Sequence, residues 1–198
     1  MRVLGITGGI ATGKSTVTQM LADLGAPTVS ADALAHDLLA PGTVTTRAVL
    51  DVFPGCADPS DGARLTVDRR ALGKIVFADP AARARLEALT HPAIIAALRR
   101  QAAAWREAEG RCAAAEIPLL FEADLVSLPD RVVVVACGEA VQIARMRARI
   151  GVSEEEARER LSAQWPLAEK TARVDVVITT DSDLEDTRRQ VEALWKTL

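Results

Sequence analysis

Asparagine is absent from the 198 residues. The Asn-Lys-x-Asp guanine reader expected of a GTPase therefore has no place in the chain. Cysteine is scarce, and Cys56, Cys112 and Cys137 stand far apart. That spacing excludes a disulfide framework and a CxxC zinc pattern, so the three read as small buried or neutral residues. The only histidines are His36 and His91, with no His-Glu-x-x-His between them, which leaves a zinc centre without ligands. No apolar run approaches the roughly 20 residues of a membrane span, and no basic-then-apolar export signal precedes the first strand pattern. The expectation is a cytoplasmic protein without a membrane partner. Lysine is confined to Lys14, Lys74, Lys170 and Lys196, and the formal charge of −3 is not that of a nucleic-acid binder. Nucleic acid is therefore not expected as a partner.

With 49% hydrophobic residues the chain can bury a full core, as one domain with room for an inserted subdomain. Strand patterns fall at residues 3–7, 27–30, 112–117, 131–137 and 174–179, and helical patterns at 14–24, 139–150, 154–164 and 183–196. Ser153 with Glu156 and Ser182 with Glu185 have capping-box spacing and mark two helix starts. Strands alternating with helices imply an α/β fold with a parallel sheet covered on both faces. Residues 33–110 break the alternation and read as helices: one at 33–39 ended by Pro41-Gly42, one after Asp68, one opening at Asp79-Pro80 and a long one after His91-Pro92. Such a block either holds a second substrate or only covers the sheet.

Gly8-Gly9-Ile10-Ala11-Thr12-Gly13-Lys14-Ser15 matches the phosphate-loop pattern completely. It lies between the apolar run Val3-Leu4-Gly5-Ile6-Thr7 and a helical spacing of Val17, Met20, Leu21 and Leu24. A triphosphate needs a loop of backbone N–H groups curled closely around it. Gly8 and Gly13 permit that curl through positive φ and the lack of Cβ. The helix starting near Gly13 turns its unpaired N–H groups and positive dipole end toward the anion. Lys14 then reaches the β and γ phosphates, and the Ser15 hydroxyl can ligate Mg²⁺. With no guanine reader and no GxGxxG dinucleotide fingerprint, ATP is the expected nucleotide.

Asp32 follows the second strand directly, at the sheet edge that also presents the phosphate loop. A carboxylate there can take a proton from an attacking hydroxyl and hold water around Mg²⁺. It can equally cap the helix at 33–39.

The motifs together resemble the dephospho-CoA kinase family over essentially the whole length. The resemblance rests on Thr7-Gly8-Gly9-Ile10 through Thr16, Ser30-Ala31-Asp32-Ala33-Leu34-Ala35-His36, Asp68-Arg69-Arg70-Ala71-Leu72 with Val76-Phe77, and His91-Pro92. It continues in Ile117-Pro118-Leu119-Leu120-Phe121-Glu122, Gln142 with Arg145, and Gln164. Ser30 stands for the family's frequent first Asp, Val174-Asp175 for Ala-Asp, and Thr180 near the usual Asn.

The resemblance implies a P-loop kinase with a five-stranded parallel sheet, an inserted helical substrate domain and a small helical lid. It divides the chain into a nucleotide-binding core at 1–32, 111–142 and 171–198, a substrate domain at 33–110 and a lid at 143–170. It also implies transfer of the γ-phosphoryl of ATP to the ribose 3′-hydroxyl of dephospho-CoA, with Mg²⁺. Asp32 is then the base, Lys14 and residues 8–16 hold ATP, and Ser15 contacts the metal. Arg145 is the main transition-state cation, with Arg149, four residues on, as a second. Thr7, Asp32, Arg69, His91 and Leu119 are candidates for the acceptor site. The alternatives are another P-loop small-molecule kinase or a non-catalytic ATP-dependent switch. Oligomeric state stays open, a monomer among the options.

Overall fold

A computed structural model describes residues 1–198 apart from Arg64 and Asp175. Five strands form one parallel sheet in the order β2-β3-β1-β4-β5. They are β1 (Arg2–Gly8), β2 (Thr28–Ser30), β3 (Cys112–Glu116), β4 (Arg131–Ala136) and β5 (Val176–Thr179). β1 lies at the centre, pairing Ile6 with Glu116 on one side and with Val133 on the other, and all of it but Arg2 is buried. Its continuous apolar character follows from burial on both faces.

The strand alternation sorts the core. Leu4, Ile6, Cys112, Ala114, Val133, Val135 and Ile178 point to one face, against Val17, Met20 and Leu21 of α1 (Lys14–Asp23) and Val191 and Leu194 of α9 (Leu184–Lys196). On the other face Gly5 makes room for Pro129 and Leu120, since a Cβ there would lie 2.7 Å from Pro129 Cγ. Because every strand runs the same way, Gly8, Ser30, Glu116, Ala136 and Thr179 end on one edge. Ligands gather at that edge in open parallel sheets.

The chain divides into two compact units, Met1–Ser30 with Gln101–Leu198, and Ala31–Arg100. The second has its own core of Val49, Leu50, Phe53, Cys56, Val67, Leu72 and Ala82. It contains α2 (Ala31–Leu38), α3 (Val44–Val52), a 3₁₀ turn at Pro54–Cys56, α4 (Arg69–Ala78) and the first part of α5 (Pro80–Glu107). Asp68 caps α4 by accepting from the N–H groups of Arg70 and Ala71. α6 (Glu139–Ile150), α7 (Glu154–Ser162) and α8 (Leu167–Thr171) precede β5. Among the described residues no helix is long and apolar enough to cross a membrane.

Several expectations are corrected. His91-Pro92 opens no helix, because α5 runs unbroken through Pro92. Proline removes one ladder bond at a cost of about 3 kcal/mol. Burial of Leu98 and Trp105 further along offsets this, at roughly 1.5–3 kcal/mol for a large apolar side chain. The cap of α9 is Asp183, accepting from Asp186 N, one residue beyond the expected Ser182; its carboxylate suits the positive helix end. Ser153 caps α7 as its spacing implies, accepting from Glu156 N. Neither α3, capped by Thr43, nor the five-residue α8 was expected from the residue pattern. β2 starts after Pro27, whose carbonyl still accepts from Ala114 N. β5 starts at Val176, and Asp175 of the Val174-Asp175 motif lies outside the described residues.

Candidate active site

β1 ends at Gly8, and the turn to α1 follows at once. Gly8 has φ +148°, and a Cβ there would lie 2.1 Å from the Val135 carbonyl oxygen, so only glycine fits between the two central strands. Gly13, with φ +89°, is the left-handed N-cap of α1. The ladder of α1 opens on the Gly13 carbonyl, which accepts from Thr16 N at 3.0 Å and Val17 N at 3.1 Å, so the positive end of the helix lies at the loop. Lys14 folds along the loop and donates from Nζ to the Gly9 carbonyl at 2.7 Å. Thr12, fully buried, donates to the same carbonyl at 3.0 Å. Ser15 and Thr16 are exposed on the first turn of α1.

Thr180 closes the loop against the end of β5. Its N–H donates to Ala136 O, and its hydroxyl donates to Thr12 O at 2.7 Å. The same hydroxyl accepts from Arg145 Nη1 at 3.0 Å, while Arg145 Nη2 donates to the Thr180 carbonyl at 2.6 Å and Nη1 reaches Ala11 O at 3.3 Å. The half-buried Arg145 thus sets a positive charge beside residues 11 and 180. Arg149 is exposed in the last turn of α6, which ends at the left-handed Gly151. Burial pushes up the Cys137 thiol next to this cluster, although the Arg145 charge pulls it down.

Thr7 is fully buried and donates its hydroxyl to Pro118 O at 3.2 Å, tying β1 to the turn after β3. Leu119 is exposed on that turn and Glu116 is half-buried at the end of β3. Glu122 is engaged elsewhere: its Oε1 accepts from Nζ of the fully buried Lys170 at 2.7 Å and from Trp165 N at 3.3 Å. Phe121 stacks on Trp165 next to this pair, ring centroids 6.0 Å apart. A cavity of about 840 Å³ opens beside Gly9, Gln142, Gln164 and Trp165, and neither Lys14 nor Ser15 lines it.

Asp32, Arg69 and His91 belong to the second unit. Asp32 is exposed in the first turn of α2, two residues past the end of β2. The helix begins at Ala31, so Asp32 does not stand at the cap position. Arg69 donates to the His36 carbonyl at 2.8 Å rather than pairing with an acid. His91 is half-buried in the middle of α5. Thr180 and the two glutamines Gln142 and Gln164 carry much of the loop's support. Gln142 and Gln164 were visible only as motif matches, and Thr180 only as a departure from asparagine.

A central parallel strand, a Gly-rich turn and Lys14 at the start of α1 make a phosphate-binding site of the P-loop class. The chain matches the dephospho-CoA kinase family over residues 2–186. It is 46% identical to the dephospho-CoA kinase of Symbiobacterium thermophilum, covering 99% of this chain and 81% of that protein. A crystal structure from Thermus thermophilus superposes with a TM-score of 0.81 at 33% identity, covering 100% of this chain and 97% of the other. Dephospho-CoA kinase from Campylobacter jejuni gives 0.72 at 27% identity, covering 98% and 95%. The chain belongs to the dephospho-CoA kinase family. It is accordingly a kinase of coenzyme A biosynthesis that uses ATP as co-substrate.

Proposed function

We propose that the chain transfers the γ-phosphoryl group of ATP to the ribose 3′-hydroxyl of dephospho-CoA, giving coenzyme A and ADP. The observation that carries this reading is the conformation of residues 8–15, with Gly8 fitted against Val135, Gly13 left-handed and Lys14 folded along the loop. Phosphoryl transfer asks chiefly for positioning and charge neutralisation. Lys14 and the loop residues 8–16 hold the β and γ phosphates. Asp32 takes the proton of the acceptor hydroxyl, whose oxygen bonds to the γ-phosphorus as the bond to the β-phosphate bridge breaks and ADP leaves. Arg145 stabilises the charge of the transferring group, with Arg149 a turn further along α6 in support. Thr7, Arg69, His91 and Leu119 are the further residues assigned to binding the acceptor.

The donor set suits Mg²⁺. Ser15 offers an exposed hydroxyl on the first turn of α1, the kind of hard oxygen ligand taken by an ion that keeps several waters and binds largely through phosphate oxygens. When bound it would neutralise phosphate charge beside Ser15.

Domain roles follow the same reading: residues 33–110 bind dephospho-CoA and residues 143–170 act as the lid. The test is ADP formation with a panel of acceptors comprising dephospho-CoA, nucleoside monophosphates and sugar acids. Turnover only with dephospho-CoA supports the reading. Preference for another acceptor replaces it with a different small-molecule kinase, and acceptor-independent turnover replaces it with an ATP-dependent switch.

A further inference from the structure

Four residues of the phosphate loop pattern are free in type, yet here three of them, Gly9, Ile10 and Ala11, are held by specific contacts. Gln142 is a buried polar side chain of α6, and its Nε2 donates to the Ile10 carbonyl at 2.6 Å. Gln164, between α7 and α8, accepts from the Ile10 N–H with Oε1 at 3.0 Å. Each amide has only one orientation that satisfies its partner, since a carbonyl needs a donor and an N–H an acceptor. A Cβ on Gly9 would lie 2.6 Å from Gln142 Nε2, so glycine at this position makes room for a glutamine.

The apolar contacts converge on the same spot. Ile10 and Ala11 pack against Ile143, Met146 and Ala157, joined by Val152 and Leu161. Ala11 stands at φ +57°, a conformation costing a non-glycine residue roughly 1–2 kcal/mol, so its surroundings must hold it there. α7 in turn is tied to α6 by Arg158, which bridges Glu139 at 2.7 Å.

We propose that Gln142 and Gln164 are positioning residues for the triphosphate. They fix both backbone polar groups of Ile10, keep Ala11 left-handed and thereby aim the amides that follow at the phosphates. Gln164 also makes loop geometry depend on the placement of the α7–α8 segment. The proposal rests on the loop being the ATP site.

The experiment compares Gln142→Ala, Gln164→Ala, Gln142→Glu and Gln164→Glu with wild type. It measures KM for ATP and for dephospho-CoA, kcat, and ATP binding by calorimetry at high ionic strength. Loss of one such hydrogen bond is expected to raise the KM and Kd for ATP about fivefold to thirtyfold in each alanine variant, with KM for dephospho-CoA within about twofold. The double alanine variant should lose less than the product of the two, because both act on one residue. A carboxylate still accepts from an N–H but cannot donate to a carbonyl. Gln164→Glu should therefore bind ATP more nearly like wild type than Gln164→Ala, whereas Gln142→Glu should be no better than Gln142→Ala. ATP affinity within twofold of wild type in both alanine variants would overturn the proposal, as would a matched loss for both substrates or equal behaviour of the two glutamate variants. Wild type that binds ATP but shows no acceptor-dependent turnover would sink the functional reading instead, leaving the calorimetry to test the clamp.

Discussion

Replacing Lys170 by Met removes the ammonium from the most enclosed ion pair among the described residues. Lys170 is fully buried, its Nζ lies 2.7 Å from Glu122 Oε1, and the Glu122 side chain is 19% exposed. At that separation two unit charges attract by about 6 kcal/mol at an effective dielectric constant of about 20. Desolvation takes back several kcal/mol, so the intact pair adds little net stability. Removing one partner is another matter, because Glu122 loses the Lys170 ammonium while its Oε2 is buried without a hydrogen-bond partner among the described residues. The usual loss is about 3–5 kcal/mol. Partial exposure of Glu122 and the Trp165 N–H relieve part of that, which leaves about 2–4 kcal/mol. Urea unfolding followed by tryptophan fluorescence suits the test, since Trp105, Trp165 and Trp195 all lie in the first unit. In a thermal melt the same loss should lower Tm by roughly 4–16 °C for a chain of this size. The double variant Lys170→Met with Glu122→Leu should recover at least half of the loss, since an apolar pair of similar volume often replaces a buried ion pair without cost. A single-variant loss below about 1 kcal/mol, or a double variant as unstable as the sum, would refute the reasoning.

Other outcomes follow from the same structure. Asp32→Asn should leave ATP affinity intact and lower kcat by on the order of 10² to 10⁴ in steady-state assays; unchanged kcat would remove the base assignment. Lys14→Ala should reduce both ATP affinity and the chemical step, the latter by about 10² or more in single-turnover measurements, and wild-type chemistry would refute its transition-state role. Burial raises the pKa of Cys56, Cys112 and Cys137 above the usual thiol range. In the native protein a disulfide reagent should therefore label all three at less than about a tenth of the rate seen in denaturant, and rapid labelling of any one would contradict its burial.

The phosphate loop was legible because phosphate chemistry itself demands glycine, lysine and a hydroxyl at fixed spacing. The five strands were legible because burial on both faces makes a parallel strand a plain apolar run, as in Val132 to Val135 of β4. Pro92 misled because a proline's preference for a helix start is local, whereas the burial that carries α5 past it falls on Leu98 and Trp105 further along the same helix. The cap of α9 falls on Asp183 rather than Ser182 because the helix starts one residue later than the capping-box spacing placed it, and Asp caps as well as Ser. The work of Gln142 and Gln164 could not be read at all, since it appears only when α6, the α7–α8 turn and the loop meet at Ile10. Thr180 shows the same limit: a departure from asparagine in sequence, it joins Thr12, Ala136 and Arg145 in space.

The most direct measurement of the central claim is ADP release with ATP present, with and without dephospho-CoA, alongside the coenzyme A formed. One coenzyme A per ADP is expected, with negligible release when the acceptor is omitted. Equal ADP release without dephospho-CoA would contradict it.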